Sequence, residues 1–454
     1  MNSTARELFS HRIRSESSGL SRVFGSFSNR KFLFGLLLFS VAVFVIRGPV
    51  RAYRYRNAWV DFASPYLESR TWSAGINPYN PTTYETAWRL TGGYGLEKLG
   101  GLGTSSTPYS PTLLPLMVPL AEMPWTVARV IWIAISCFLI LVLAQMAILA
   151  AGTAVLEQKL LLFALVLLAP ASQTLIWTGN LTLLAASCGL AAFYWGECRD
   201  RGVLAGILVA LSIAAKPQIG VWVLLFGLFS RRWKAVGSAL ASLTVLLEVF
   251  CFGLRRSGFG WLHAYFSVFR DFAASGATDF SAANPRRFNL LNVQVILSTF
   301  FDDRNLANLL GLFLVGTLLV YWLWHFRKTK AQDERLLAFA TLLTISILPY
   351  YHRIYDTILL IAPAAWSLVN FPISGRLLKF IRILLALFLL PTGSGLVALL
   401  EANRIPDSIA HKWWWSSFVM PHQNWLLVFL SIALLIALRN GTSMGKSAIG
   451  EKVS

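Results

Sequence analysis

Long apolar runs alternate with short clusters of basic residues along this chain, and that alternation predicts a stack of membrane helices. The runs fall at roughly 32–47, 126–150, 160–177, 181–196, 203–215, 218–230, 235–253, 306–326, 335–350, 354–370, 383–400 and 425–438. A straight span needs about 20 apolar residues, so the shorter runs predict helices that stop inside a bundle and frame a cavity. The expected fold is an all-α polytopic membrane protein of about 12 transmembrane helices with a long first extracytoplasmic loop. The expected division is a basic cytoplasmic tail at 1–31, one membrane domain at 32–438 and a second cytoplasmic tail at 439–454, with the first outer loop at 48–124.

The basic clusters set an orientation. Arg12, Arg14, Arg22, Arg30 and Lys31 precede the first run. Arg199 with Arg201, Arg231-Arg232 with Lys234, Arg327-Lys328 with Lys330, and Arg376, Lys379 and Arg382 occupy alternate connections. The positive-inside rule puts all of them, and both termini, in the cytoplasm. It exports the loops 48–124, 254–305 and 401–424 and the connections at Gly179-Asn180, Lys216-Pro217 and Pro349 to Arg353. The proline-rich stretch Tyr109 to Pro119 is expected to lie in the outer interface, because a span there would reverse every later loop. The first run lacks a small-residue cleavage site and reads as a retained helix.

Composition agrees and removes other classes. The chain is 56% hydrophobic and 13% charged over 454 residues, which no soluble domain of this size matches. A formal charge of +19 could point to nucleic acid, but the basic residues form no single patch; the bilayer is the expected partner. The four cysteines have neither pairing nor ligand spacing, and no phosphate loop, Ser-His-Asp order or His/Cys metal motif occurs.

Three constellations could carry chemistry, all on the expected outer face. In the first loop Asp61 could be a general base held near the membrane. Glu68 with Trp59, Trp72 and Tyr79 could shape a sugar site, in company with Asn77 and Glu85; the plain alternative is a solvated acid on an ordinary loop. Lys216, before Pro217, could face a lipid phosphate or simply snorkel to the interface. In the run Leu348 to Asp356, His352 and Arg353 could bind a phosphate leaving group while Asp356 orients the histidine; an aromatic and basic anchoring belt is the competing view. Asn180, Glu248 and the loop residues Arg286, Arg287, Asn289 and Asn292 are weaker candidates, and Trp413 to Trp415 reads as an interfacial anchor.

In order along the chain, these segments resemble the GT-C superfamily of polyprenol-phosphate-sugar-dependent glycosyltransferases, most closely glycosyltransferase family 87. The matching pieces are Asp61-Phe62 with Tyr66, Gly75 to Tyr79, Tyr109 to Leu113, and Pro119-Leu-Ala121. They continue with Thr178-Gly-Asn180, Ala205-Gly206 leading to Lys216-Pro217, Arg231-Arg232-Trp233, and Leu348-Pro349 with His352. Two departures stand out: Thr178-Gly-Asn180 lacks the family's usual Gly-Gln-x-Asn form, and Tyr350-Tyr351 replaces its usual residues before the histidine.

The resemblance implies a GT-C-like bundle that moves a hexose, often mannose, from a polyprenyl-phosphate donor to a glycan, glycolipid or lipid acceptor, with inversion. Asp61 would be the base, and Lys216, His352 and Arg353 would hold the donor phosphate. Glu68, Trp72, Asn77, Tyr79 and Asn180 would contact sugar or acceptor, with Asp356 behind His352. No cofactor and no metal are expected, the lipid-linked sugar being a substrate. The expected location is a bacterial plasma membrane, with the site extracytoplasmic. A secondary transporter or lipid flippase is the main alternative; it predicts ionisable groups near mid-membrane and related halves of the chain, whereas here the polar groups gather outside. A non-catalytic assembly factor of an envelope complex is the third reading.

Overall fold

The structure is a computed structural model and describes residues 30–54, 60–80, 83, 109–153, 155–255, 258–284, 286–329, 331–349, 351–370 and 375–450. Trp59, Glu85, Lys330 and Tyr350 lie outside the described residues, as do residues 1–29 of the first expected tail and 451–454 of the second. Among the described residues the fold is helical, and the one β-type pairing is an isolated antiparallel bridge between Leu290 and Arg353.

Among the described residues, five helices are long and apolar enough to cross a membrane. The first, α1 (Arg30–Val45), continues through a wider turn at Pro49 to Arg54. Next in chain order come α2 (Val60–Ser73), α3 (Leu114–Ala121), α4 (Trp125–Ala151), α5 (Leu156–Leu168), α6 (Pro170–Thr178) and α7 (Thr182–Phe193). Then follow α8 (Gly202–Ala215), α9 (Pro217–Phe229), α10 (Trp233–Gly253), α11 (Gly260–Ala274), α12 (Arg304–Phe326), α13 (Gln332–Ser346) and α14 (Ile361–Val369). The chain closes with α15 (Arg376–Leu387), α16 (Gly393–Glu401) and α17 (His422–Gly450). The spanning candidates are α1 with its extension, α4, α10, α12 and the first part of α17.

The expected count of about twelve spans is therefore not established by the structure. Run 160–177 is two helices, α5 and α6, bent by 51° where Pro170 cannot donate to the preceding turn. Run 383–400 is likewise not one helix: α15 ends before Pro391, and Thr392 caps α16. Helices α8 and α9 have 14 and 13 residues, about 20 Å of rise each, which is short of a hydrocarbon core about 30 Å thick.

Large apolar side chains stand exposed along the long helices, among them Phe138 on α4, Phe252 on α10 and Phe313 and Val320 on α12. Such surfaces suit lipid rather than water. Inside, one apolar cluster runs from Phe62 and Trp132 through Phe193 and Phe226 to Trp322 and Phe339. Helices α8 and α10 lie almost backbone to backbone, because a Cβ at Gly206 would collide with Ala235 and Ser238.

Candidate active site

Asp61 stands in the first turn of α2, where a carboxylate complements the exposed amides of a helix N-terminus. Its helix is pinned by rings: Phe62 stacks on Trp132 at 5.1 Å, and Tyr66 meets Trp125 edge-on at 5.1 Å. Pro65 lies four residues after Asp61 and has no N–H to return to the Asp61 carbonyl. That carbonyl instead accepts the Tyr109 hydroxyl at 2.9 Å, so the proline break ties α2 to the segment before α3.

Asn180 reaches Asp61 from another part of the chain. Gly179 takes a left-handed conformation (φ 69°) that ends α6, and its carbonyl accepts the Trp132 indole N–H at 2.9 Å. The turn directs Asn180 Nδ2 to Asp61 Oδ2 at 2.9 Å. Asn180 Oδ1 accepts the Thr182 amide at 2.8 Å and lies 2.6 Å from the Thr182 hydroxyl.

Lys216 and His352 arrive through two further breaks. Lys216 precedes Pro217, which drives it out of helical geometry (φ −155°, ψ 93°) between α8 and α9. Its Nζ donates to Asp356 Oδ1 at 2.5 Å and to Thr182 Oγ1 at 2.6 Å, and lies 4.9 Å from the centre of the Tyr355 ring. Asp356 Oδ2 bonds His352 Nδ1 at 2.8 Å and accepts the Arg353 amide at 3.1 Å. The irregular backbone here is paired with the segment after Arg287: Leu291 N–H donates to the His352 carbonyl at 2.8 Å, and Val293 N–H to Leu348 at 3.0 Å. Non-helical backbone inside a membrane bundle needs such internal partners.

The result is one connected polar centre: Asn180 links Asp61 to Thr182, Lys216 bridges Thr182 to Asp356, and His352 also bonds Asp356. Asp61, Asn180, Lys216, His352 and Asp356, all singled out in the sequence, meet here. Thr182 was missed; within an apolar run its only signal was its place two residues after Asn180. Lys216 is held by Asp356 and Thr182 rather than pointing freely to an interface, and one of its three N–H donors remains. His352 is fully buried, and its Nε2 has no hydrogen-bond partner among the described residues; nor has Arg353 Nε. Burial works against the Arg353 charge, but the Tyr351 and Tyr355 oxygens and the Asp61 carboxylate hold its pKa above the ordinary value. Burial, more than any neighbouring charge, pushes the Tyr351 phenol up to about 12.

The residues expected to shape a sugar site behave differently. Glu68, Trp72 and Tyr79 are buried with Phe250, Trp261 and Tyr265, where α2 meets α10 and α11. Trp72 donates its indole N–H to the Phe250 carbonyl at 2.9 Å, and Tyr79 its hydroxyl to Tyr109 at 3.1 Å. Asn77 Oδ1 accepts the Tyr79 amide at 3.1 Å, a local turn bond. Trp72 is thus held by α10 and Tyr79 by the segment before α3. Of the weaker candidates, Asn292 caps a short helix at Val295, Glu248 is exposed on α10, and Arg287 is buried with its Nη1 making no hydrogen bond to a described residue.

A cavity of about 600 Å³ lies elsewhere, between α5, α14 and α15, and Asp61, Lys216 and His352 do not line it. Its wall is mostly leucine, isoleucine and alanine; Thr357, next to Asp356, forms part of it, as does Arg382. Among the described residues, no group of three or more His, Cys, Asp or Glu is placed to hold a metal ion.

A family model described as glycosyltransferase family 87 matches residues 107–349, just over half of the chain. The chain belongs to glycosyltransferase family 87. Its match to the family includes Asn180, Thr182 and Lys216 but stops short of Asp61 on one side and of His352 and Asp356 on the other. No curated protein and no solved structure matches this family 87 chain.

Proposed function

We propose that this membrane glycosyltransferase moves a hexose, with mannose the expected one, from a polyprenyl-phosphate donor to an extracytoplasmic acceptor, inverting the anomeric centre. The observation that carries the reading is the hydrogen-bonded chain from Asp61 to the Lys216–Asp356–His352 group, four distant segments converging on one polar centre in an apolar bundle. In the reaction, the acceptor hydroxyl oxygen attacks the anomeric carbon and Asp61 takes its proton. The bond from that carbon to the phosphate oxygen breaks, and the phosphate leaves with the electron pair. Asp61 is suited to its part: Oδ2 is fixed by Asn180, while Oδ1 makes no hydrogen bond to a described residue.

On the leaving-group side, the spare Lys216 donor, His352 Nε2 and Arg353 Nε can meet phosphate oxygens. Preorganised donors of this kind often supply the largest part of a rate enhancement. Lys216 and Arg353 offset the leaving charge, so transfer without added metal is part of the proposal. The 600 Å³ apolar cavity between α5, α14 and α15, which Thr357 helps to line, is of a kind that suits a hydrocarbon chain. Glycan, glycolipid and lipid acceptors all fit the scheme. Family membership disfavours the transporter and assembly readings.

The test is transfer by the purified protein from a panel of labelled polyprenyl-phosphate hexoses, with chelator present. Product from at least one donor, inverted at the anomeric carbon, is expected. Product from nucleotide sugars alone would overturn the lipid-donor reading.

A further inference from the structure

Thr182 occupies a place that neither the base nor the phosphate-binding group explains alone. Its single hydroxyl lies 2.6 Å from Asn180 Oδ1, 2.8 Å from Asp356 Oδ1 and 2.6 Å from Lys216 Nζ, and the residue is fully buried. An ammonium can only donate, so Lys216 fills a lone pair of the hydroxyl oxygen. One proton then remains, with two acceptors in reach. Asp356 already has the Lys216 ammonium on Oδ1, with the His352 ring and the Arg353 amide on Oδ2. Asn180 Oδ1 has only the Thr182 amide. The shorter contact and the less crowded acceptor both direct the proton to Asn180.

We propose that Thr182 is a positioning residue that links the two halves of the centre, fixing the Asn180 amide so that its Nδ2 faces Asp61. The proposal rests on the glycosyltransferase reading and adds to it the means by which base and leaving-group site are coupled. The polarity of the chain is consistent throughout: Lys216 donates to Thr182, Thr182 to Asn180, and Asn180 to Asp61. Each donor in such a chain is strengthened by the one behind it. Rotating the Asn180 amide would set its oxygen against the Asp61 carboxylate and its NH₂ against the Thr182 N–H. The Thr182 hydroxyl, with its own amide, is what opposes that rotation.

The experiment compares T182V, which keeps the shape and removes the hydroxyl, with T182S, N180A and the T182V/N180A double variant. T182V is expected to lower the turnover rate about tenfold with donor KM within about twofold, and T182S to stay within about threefold of the parent. The double variant is expected to be no slower than N180A alone, because the hydroxyl acts through that amide. Independent, multiplying losses, or a T182V enzyme as fast as the parent, would overturn the proposal. If the parent transfers no sugar, the functional reading fails separately. The same four proteins then decide the coupling by thermal unfolding: non-additive shifts support it and additive shifts refute it.

Discussion

Two carboxylates on one helix show how differently the same chemical group can be used. Asp61 and Glu68 are seven residues apart on α2, two turns along and on the same face. Asp61 is partly exposed, held by one amide hydrogen bond and within reach of the Arg353 charge. Glu68 is fully buried, and neither of its oxygens has a hydrogen bond among the described residues. Burial pushes its carboxyl well above the usual range, with the nearby Tyr109 backbone pulling slightly the other way. One carboxyl keeps an oxygen free of hydrogen bonds to described residues at a partly exposed helix start; the other sits in an aromatic core that raises its pKa. Position on the helix does not decide this. The neighbours brought in by other segments do.

The largest difference between the two regions should follow from removing Lys216. Its partner Asp356 is almost wholly enclosed, so K216M would strand a buried carboxylate. Breaking such a pair from one side costs about 3–5 kcal/mol, and transfer should be lost together with much of the thermal stability. A K216M protein that unfolds at the parent temperature would show that the centre is not load-sharing in this way.

A smaller effect is expected at Asn180. N180A leaves the Asp61 charge but frees its orientation, so turnover should fall about tenfold while donor binding is kept, as measured by retention of labelled donor. Equal loss of binding and turnover would place Asn180 on the donor instead.

The mildest effect belongs to Glu68, and its sign depends on pH. Below the ordinary carboxylate range both folded and unfolded chains hold the proton, and Glu68 makes no difference between them. Above that range the unfolded chain releases its proton while the buried group keeps it, so stability falls as pH rises toward the raised pKa. E68Q removes that cost. Its melting temperature should match the parent in acid and exceed it increasingly toward neutral pH. A gap that is constant with pH would mean that Glu68 does not titrate as described.

The comparison also shows what the sequence could reveal. The helical membrane class was legible because apolar runs admit no other backbone solution. The number of spans was not, since a hydropathic run passes smoothly through Ala169-Pro170 and Pro391, where the helices break. Asp61, Asn180, Lys216, His352 and Asp356 were visible as polar residues beside turns in an apolar chain, and the structure joins them. Thr182 was hidden because threonine in an apolar helix is unremarkable until three partners converge on it. Glu68 and Asp61 looked alike in sequence; only the packing of Tyr109, α10 and α11 separates them.

The central claim is that chemistry runs through Asp61 and not through its neighbour on the helix. Sugar transfer from labelled polyprenyl phosphate by D61N and E68Q, measured side by side at equal amounts of folded protein, tests it most directly. Loss of a positioned base lowers rates about 10²–10⁴-fold, so D61N should fall by at least about a hundredfold while E68Q stays within about threefold of the parent. D61N activity above about a tenth of the parent, or equal losses in both variants, would contradict the account.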